Sequence, residues 1–236
     1  MKRKFLILIP AYNESESIVR VIDNLINKYP DYDYVVINDG SSDNTAKICM
    51  EHGYKLIDQP INLGLSGTFQ TGAKYALKYD YDAILQFDAD GQHRPEHIDE
   101  MLKKMEEGYD IVIGSRFVNE KKPLTLRMFG SFIISFLIKM MTGKHINDPT
   151  SGMRMYSKRL LPIIANNPNI TPEPDTVAYL ISNGASFVEV QAYMDERIAG
   201  KSYLTAVKSI QYMLTICISI LILSWFRPRL KLEDSQ

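Results

Sequence analysis

This sequence has little cysteine, little tryptophan and almost no net charge. Its 236 residues contain two cysteines, Cys49 and Cys217, and one tryptophan. The cysteines lie far apart, with no His or Cys at ligand spacing nearby, which argues against a disulfide framework or a zinc site and favours a reducing, cytosolic setting. The 27 basic and 28 acidic residues give a formal net charge of −1. Because this charge offers no electrostatic footprint for nucleic acid, we expect no nucleic-acid partner.

Long hydrophobic runs are also missing. The apolar residues 5–9 stop at Pro10 and are interpreted as a buried strand rather than a signal peptide. The apolar stretch 128–141 is too short to span a bilayer, and it is either a core helix or a helix in the membrane interface. Residues 210–226 would form only about 25 Å of helix against a hydrocarbon core of roughly 30 Å. We expect this second stretch to lie in the interface or on a membrane partner, the alternative being a buried core helix.

Short apolar segments alternate with helical patterns along the first half of the chain. Apolar residues recur at helical spacing from Ile18 to Ile26 and from Ile98 to Met105. Strand alternating with helix predicts an α/β fold with a mostly parallel sheet, whose ligands bind at the carboxyl ends of the strands. The predicted strands are residues 5–9, 34–37, 83–87 and 111–113.

Polar residues follow three of these strands. Asp88-Ala89-Asp90 comes directly after an almost entirely apolar strand, and residues 10–14 and 38–43 follow two others. Two carboxylates one residue apart suit a hard divalent cation that also binds the oxygens of a diphosphate. An acidic turn in solvent is the alternative. Because all three polar segments should open onto one edge of the sheet, the context favours the metal site.

With these segments in place, the sequence resembles the inverting GT-A glycosyltransferases of family 2, which use nucleotide-sugar donors. Four motifs stand in the family's order: residues 10–14, residues 38–45, Asn62-Leu63-Gly64 with Gly67, and residues 88–92. The branch it most resembles contains dolichyl-phosphate mannose synthase and bacterial polyprenyl-phosphate glycosyltransferases. The residues that indicate this branch are Gly114-Ser115-Arg116, the segment 148–154, Arg197, and Gly200-Lys201-Ser202.

The resemblance, which covers residues 4 to about 205, implies an α/β GT-A (Rossmann-like) fold with a mostly parallel sheet and flanking helices. From the apolar stretch beyond it, we also expect C-terminal amphipathic, membrane-associated helices. It implies a glycosyltransferase domain over residues 1–205, with an interface helix at about 126–142. Residues 206–236 would form a membrane-associated helix and a basic tail.

The resemblance also implies roles for individual residues. Asp90 and Arg116 would be catalytic, and Mg²⁺ or Mn²⁺ would be held by Asp88, Asp90 and Gln92. Arg127 is added to the catalytic set because of its position in the sequence, not because of a motif. Arg127 opens the apolar stretch 128–141, where a lipid head group would lie beside its tail. The donor would be bound by Pro10, Tyr12, Glu14, Asp39, Gly64, Gly67, Asp88 and Ala89. The acceptor and diphosphate would be bound by Arg127, Ser151, Arg154, Arg197 and Lys201. For the two glycines, ordinary turn and helix packing is the alternative.

The leading hypothesis is inverting transfer of one hexose or N-acetylhexosamine from a UDP- or GDP-sugar to a polyprenyl phosphate. In a bacterium this acceptor would be undecaprenyl phosphate, used at the cytoplasmic face of the membrane to modify envelope polysaccharide. A homo-oligomer or a small membrane subunit is a further expectation. A second hypothesis is a soluble enzyme that glycosylates a saccharide hydroxyl with Glu173 or Asp175 as base. A third is a nucleotide-sugar sensor or scaffold without activity.

Overall fold

The computed structural model describes residues 4–123, 125–195, 206–223, 226–230 and 232, without the side chains of residues 126, 127, 206–209 and 223. Within these ranges a seven-stranded sheet has the strand order β3-β2-β1-β4-β6-β5-β7. All four strands predicted from the sequence are present, each within two residues of the expected ends. The strands are β1 (Phe5–Ala11), β2 (Asp33–Asn38), β3 (Leu56–Asp58), β4 (Ala83–Gln86), β5 (Ile111–Ser115), β6 (Arg154–Ser157) and β7 (Phe187–Gln191).

The sheet is parallel except for β6, which pairs antiparallel with both β4 and β5. The register places Ala11 opposite Asn38 and Leu8 opposite Gln86. Since the other strands run the same way, the segments that follow β1, β2, β4, β5 and β7 emerge at one edge of the sheet. The reversed strand β6 begins at that edge, so the segment that precedes it, residues 148–153, arrives there as well.

Helices cover both faces of the sheet. The two helices predicted from apolar spacing are present, and their apolar residues are buried as that spacing requires. Short 3₁₀ turns at Pro95–His97 and Lys158–Leu160 precede α4 and α6, and a π-helical turn, Ser219–Leu223, continues α8. The helices are α1 (Ile18–Lys28), α2 (Thr45–Glu51), α3 (Gly64–Lys78), α4 (Ile98–Glu106), α5 (Leu126–Thr142), α6 (Leu161–Asn166), α7 (Pro174–Ser182) and α8 (Ala206–Ile218).

Two apolar cores lie on opposite faces of the sheet. Alternate residues of β1 serve both, with Ile7 in the core beneath α1, α2 and α4, and Leu8 in the core beneath α3 and α5 to α8. Each side chain is 2% exposed or less, and burial of an aliphatic side chain of this size stabilises the fold by about 1.5–3 kcal/mol. The cores hold β1 and β4 rigid directly beneath the polar edge.

The helix α5 has one buried face and one exposed apolar face. Ile134 and Ile138 are buried in the core beneath the helix, whereas Phe129 and Phe136 are 64% and 65% exposed. It packs against α7 and α8. α8 is divided in the same way, with Ile216 buried and its other side apolar and exposed. Of the helices in the described ranges, none has the length and hydropathy needed to cross a membrane.

Candidate active site

The loops after β1 and β2 are tied together at the carboxyl edge of the sheet. The Asn13 side-chain oxygen accepts from the backbone N–H of Ser42 at 2.9 Å, and the Asn13 N–H donates to Ser41 Oγ at 2.9 Å. The Glu14 N–H donates to Thr45 Oγ1 at 2.9 Å. These side-chain bonds fix two loops whose own backbone groups have left the sheet. Tyr12, which is 43% exposed, stands at the surface between them.

Asp39 connects β1 and β2 to the start of α3 at this edge. It is 4% exposed, its N–H donates to the Ala11 carbonyl at 2.9 Å, and its Oδ1 accepts from the Leu63 N–H at 2.7 Å. Leu63 directly precedes α3, so the Asp39 carboxylate lies at the N-terminus of that helix, where a negative charge is favoured. Asp39 thereby sets the position of α3 relative to β1 and β2.

The predicted metal motif follows β4 and is organised by His93. The His93 ring is buried, and its Nδ1 accepts from the Asp88 N–H at 2.9 Å. The other ring nitrogen, Nε2, lies 3.6 Å from Asp88 Oδ2. Gln86 donates to Asp88 Oδ1 at 3.2 Å, and the Gln92 N–H donates to Asp90 Oδ1 at 3.0 Å. Both carboxylates are therefore held in defined orientations.

These three loops enclose a cavity of about 240 Å³. Its lining includes seven of the residues assigned from the family resemblance, contributed by β1, β2 and β4, together with Leu65 and Thr68 of α3. The sequence reasoning missed these two, because their helical spacing indicates only core packing. The lining residues are Pro10, Ala11, Tyr12, Glu14, Asp39, Leu65, Thr68, Asp88, Ala89 and Asp90.

The donor set at this cavity fits a hard divalent cation. Asp88 and Asp90 both line it, and the Asp88 side chain is 35% exposed. In the described part of the chain no group of three or more His, Cys, Asp or Glu side chains comes together as a metal site. Mg²⁺ commonly takes only one or two protein carboxylates and completes its shell with water and substrate phosphate oxygens. Two aspartates beside a cavity are consistent with that kind of site.

Gly64 and Gly67 were assigned to donor binding, but they do not line the cavity. Gly64 begins α3 with a φ of +72°, a conformation that glycine adopts without strain. A side chain at Gly67 would overlap the Leu63 side chain one turn earlier in the chain. These observations favour the turn and helix-packing alternative, and a direct role of the glycines in donor binding stays a prediction. Their effect on the cavity is indirect, through the placement of Leu65 and Thr68.

Arg116 is bound to a carboxylate rather than exposed for substrate. Its Nε and a terminal nitrogen donate to the two oxygens of Asp148 at 2.6 and 2.8 Å, and the Asp148 side chain is fully buried. Burial alone would raise the pKa of Asp148, but the hydrogen bonds and charge of Arg116 outweigh it and hold that pKa below its ordinary value. In this structure Arg116 positions the segment 148–152 at the edge of the sheet.

Ser151 and Arg154, which were assigned to acceptor and diphosphate binding, are both buried in the structure. Ser151 is 1% exposed and donates to the Gly114 carbonyl at 2.5 Å. Arg154 is 2% exposed and donates to the carbonyls of Pro149 and Pro172 at 2.6 and 3.0 Å. Backbone carbonyls take up the guanidinium and the hydroxyl because both side chains point into the protein. We assign them positioning roles.

The segment that these residues hold in place touches the metal motif. A Cβ on Gly152 would lie 2.8 Å from Asp88 Oδ2, so any other residue there would press on the carboxylate. The position of Asp88 therefore depends on the backbone of residues 148–152, which is held in place by Arg116, Ser151 and Arg154. That coupling comes from the reversed direction of β6, which the sequence pattern did not indicate.

Three of the predicted cationic side chains lie outside the described part of the structure, and Gln92 is described but does not line the cavity. Arg197 and Lys201 lie outside the described residues, and so does the side chain of Arg127, whose backbone is in the first turn of α5. Gln92 lies beside the motif, but its amide nitrogen is 3.4 Å from the Asp195 carbonyl oxygen and the residue does not line the cavity. Its role as a metal ligand stays a prediction.

Glu173 and Asp175, the candidate bases for a hydroxyl acceptor, do not line the cavity either. Asp175 accepts from Ser219 Oγ at 2.6 Å and from Arg227 at 2.9 Å. Glu173 accepts from Tyr212 of α8. Burial raises the pKa of Glu173, although the Tyr212 hydrogen bond acts in the opposite direction. Both carboxylates fasten the C-terminal segment to α7.

A larger cavity, of about 660 Å³, lies on the other side of the metal motif, between α1 and the 3₁₀ turn. Gly91 and His93 form part of its wall, whereas Asp88 and Asp90 do not. Its charged side chains are mostly paired with one another, Lys28 with Glu96 and Arg94 with Asp195. The smaller cavity is the better candidate for the reaction site, because only that one is lined by both aspartates.

The sheet is mostly parallel, and its carboxyl edge carries two aspartates, a third aspartate at a helix N-terminus and a small cavity between them. This arrangement defines the GT-A class of glycosyltransferase. The sequence model of glycosyl transferase family 2 matches residues 6–162, and the chain belongs to that family.

Named relatives act on lipid phosphates. A UDP-N-acetylglucosamine–dolichyl-phosphate N-acetylglucosaminyltransferase from Methanococcus voltae is 33% identical over 181 residues, 67% of this chain and 71% of that protein. A polyprenol monophosphomannose synthase from Mycolicibacterium smegmatis is 27% identical over 213 residues, 85% of this chain and 80% of that protein. For another relative, from Methanocaldococcus jannaschii, the chain spans only 65% of that protein's length.

Solved structures confirm the fold. Glucosyl-3-phosphoglycerate synthase from Mycobacterium tuberculosis, in complex with Mg²⁺ and uridine diphosphate, superposes with a TM-score of 0.64. The match covers 92% of this chain and 79% of that chain at 18% sequence identity. At this identity the likeness establishes the architecture, which is the mixed α/β sheet with flanking helices expected from the sequence.

Proposed function

We propose that this enzyme transfers one hexose or N-acetylhexosamine, with inversion, from a nucleotide sugar to a polyprenyl phosphate at the cytoplasmic face of a membrane. The observation that carries the proposal is the cavity that joins the loops of β1 and β2 to Asp88 and Asp90. The relatives that act on dolichyl and polyprenyl phosphates support the acceptor class.

The donor's nucleoside would lie between the β1 loop and Asp39, and its diphosphate beside Asp88 and Asp90. Mg²⁺ or Mn²⁺, held there by the two aspartates with Gln92 nearby, would neutralise the charge of the diphosphate leaving group. The protein's own contribution is rigidity, because Asp39 is anchored to the N-terminus of α3 and Asp88 is anchored through His93. Groups held in fixed orientations spend little free energy on reorganisation during the reaction.

Among the described residues, the carboxylates that line the cavity are Glu14, Asp39, Asp88 and Asp90, all of them in the metal motif or in the loops assigned to the donor. A phosphate acceptor would need no further carboxylate as base. A phosphate monoester has its second pKa near about 6, so at neutral pH most of the acceptor is a dianion that needs no deprotonation. A sugar hydroxyl must lose its proton as it attacks. Glu173 and Asp175 are engaged by α8 and the residues after it, which favours the phosphate acceptor over the saccharide.

The exposed apolar faces of α5 and α8 would carry the lipid. The two helices are in contact and together present a surface of large apolar side chains, which is the composition of helices that lie in a membrane interface. We call it the apolar platform. It consists of Phe129, Phe132, Ile133, Phe136, Met140, Ile210, Leu214, Ile218, Leu221 and Ile222. A second copy of the chain or a small membrane subunit on this surface stays a prediction.

The test is transfer of label into lipid. Full-length protein is incubated with Mg²⁺, undecaprenyl or dolichyl phosphate in vesicles, and a panel of radiolabelled UDP- and GDP-sugars, after which organic-extractable label is counted. With the wild-type protein, one donor of the panel should label the lipid. With the Asp90→Asn variant, no donor should label it. Asp31→Asn, at an exposed carboxylate on the opposite edge of the sheet, is the matched control and should retain activity.

Other outcomes would favour the alternatives. Label that appears only in water-soluble saccharide would support a hydroxyl acceptor. Nucleotide-sugar binding without any transfer, across both acceptor classes, would support a sensor or scaffold.

A further inference from the structure

Lys122 lies between the loop after β5 and the helix α5, where two serines hold its ammonium. Its Nζ donates to Ser131 Oγ at 3.1 Å and to Ser135 Oγ at 3.4 Å, and both serines are 2% exposed. The same nitrogen lies 4.8 Å from the ring centroid of Phe132 and 5.6 Å from that of Phe117. Lys122 itself is half-buried.

This ammonium has no counter-charge at ion-pair distance among the described residues. Two carboxylates are close enough to raise its pKa, but both are committed elsewhere: Asp148 to Arg116, and Glu189 to the N–H groups of Asn147 and Asp148 at 2.7 and 2.8 Å. Burial, the largest effect, lowers the pKa of Lys122, and Arg116 adds to that effect. A half-buried cation of this kind favours the binding of an anion.

The surroundings indicate which anion. Each serine hydroxyl that accepts from the ammonium keeps its own proton to donate, so several donors converge at one place. Phe132 belongs to the apolar platform, so the ammonium stands where polar protein meets exposed apolar surface. A phosphate on a long hydrocarbon chain meets both requirements, whereas a free phosphate would gain nothing from the platform.

We propose that Lys122 binds the phosphate monoester of the lipid acceptor, with Ser131 and Ser135 holding its ammonium at the edge of the apolar platform. This inference rests on the proposed function for the identity of the acceptor. It assigns Lys122 to acceptor binding and not to the donor, because Lys122 does not line the cavity between β1, β2 and β4.

The experiment compares Lys122→Met with Lys121→Met, its exposed neighbour. Binding of farnesyl phosphate, farnesol and inorganic phosphate to the full chain in detergent is measured by calorimetry, and KM is measured separately for lipid phosphate and nucleotide sugar. Lys122→Met should weaken farnesyl phosphate binding and raise the acceptor KM by about 10- to 100-fold, as expected for loss of a charge-assisted hydrogen bond. Farnesol binding and the donor KM should not change, and Lys121→Met should match wild type.

Two further variants separate binding from folding. Lys122→Arg keeps the charge and should retain most of the acceptor affinity. Lys122→Gln keeps a hydrogen bond to the serines without the charge, so at an unchanged melting temperature it should show the same raised acceptor KM as the Met variant.

Several results would overturn the inference. One is an equal acceptor KM in the Lys122→Met and Lys121→Met proteins. Another is a loss of binding affinity confined to inorganic phosphate, which would make this a free-phosphate site. Normal transfer to lipid by Lys122→Met would reject the inference and leave the proposed function intact. Lys122-dependent binding of farnesyl phosphate without any sugar transfer would reject the proposed function and leave the assignment of Lys122 to phosphate binding intact.

Discussion

Tyr212 of the C-terminal helix donates a hydrogen bond to the carboxylate of Glu173 at the start of α7. Ser219 and Arg227 make the corresponding contacts to Asp175, two residues further along the chain. The two acidic residues that a hydroxyl acceptor would have needed as a base are thus occupied by the segment that bears half of the apolar platform. Their visible role is to attach that segment to the domain.

Glu173→Gln should retain sugar transfer within about tenfold, because loss of a positioned base typically costs on the order of 100- to 10,000-fold and no base is lost here. Turnover with saturating donor measures this. A collapse of turnover at unchanged donor binding and melting temperature would move the assignment to a hydroxyl acceptor. Asp175→Asn, which leaves Arg227 without its counter-charge, should also stay active while lowering the melting temperature.

The free energy of unfolding of the same Glu173→Gln variant should depend less on pH than that of the wild type. Burial raises the folded pKa of Glu173 above its ordinary value, so its favourable contribution is complete below pH 4.5 and is lost as the pH rises through the folded pKa. Glutamine does not ionise, so the variant should gain in relative stability from pH 4.5 to pH 7. Urea midpoints across this range measure the effect, and parallel curves for the two proteins would contradict it.

Asp90→Ala should abolish transfer while leaving the fold intact. It removes a carboxylate from the cavity beside the donor diphosphate, whose charge would then lack its partner. Transfer assays with and without EDTA, together with circular dichroism, check both parts. Full turnover of the wild type in the presence of the chelator would show that the metal assignment is wrong.

Arg116→Met should destabilise the protein by about 3–5 kcal/mol at pH 7, because the fully buried Asp148 loses its paired charge. In the wild type the lowered pKa of Asp148 adds stability at neutral pH, and this is lost only as the pH falls below about 4. In the variant the Arg116 side chain no longer offsets burial, which is the largest influence on Asp148, so the pKa of Asp148 should rise. The stability difference between the two proteins should therefore narrow from pH 7 to pH 4.5, as followed by urea unfolding. A constant difference would mean that Asp148 is not the group affected.

Phe136→Glu should weaken binding to lipid vesicles by about 10- to 100-fold, since a buried phenylalanine side chain contributes about 1.5–3 kcal/mol. The side chain is 65% exposed, so the melting temperature should not change. Met50→Glu, at a residue 60% exposed on α2, is the control on the opposite face of the sheet. Vesicle sedimentation measures both. Equal sedimentation of the two variants would show that the apolar platform does not contact the membrane.

The sequence alone determined the α/β class, four strands, two helices and the edge at which the site would lie. It did so because a strand buried on both faces must be apolar, so polar residues directly after it mark the carboxyl end of the sheet. The segments after β1, β2 and β4 were identified for that reason, and the family resemblance then assigned the seven cavity residues within them. They stand together because these three strands are adjacent and parallel.

Only the tertiary structure decided what the cations and the second half of the chain do. Whether an arginine is exposed depends on which carbonyls and carboxylates fold around it, and the partners of Arg116 and Arg154 are residues 148, 149 and 172, brought near by the reversed strand β6. The ammonium of Lys122 and the Tyr212–Glu173 contact arise from helix packing across 9 to 39 residues of sequence. Local patterns record the burial and period of a segment, but they do not record which distant segment supplies its partner.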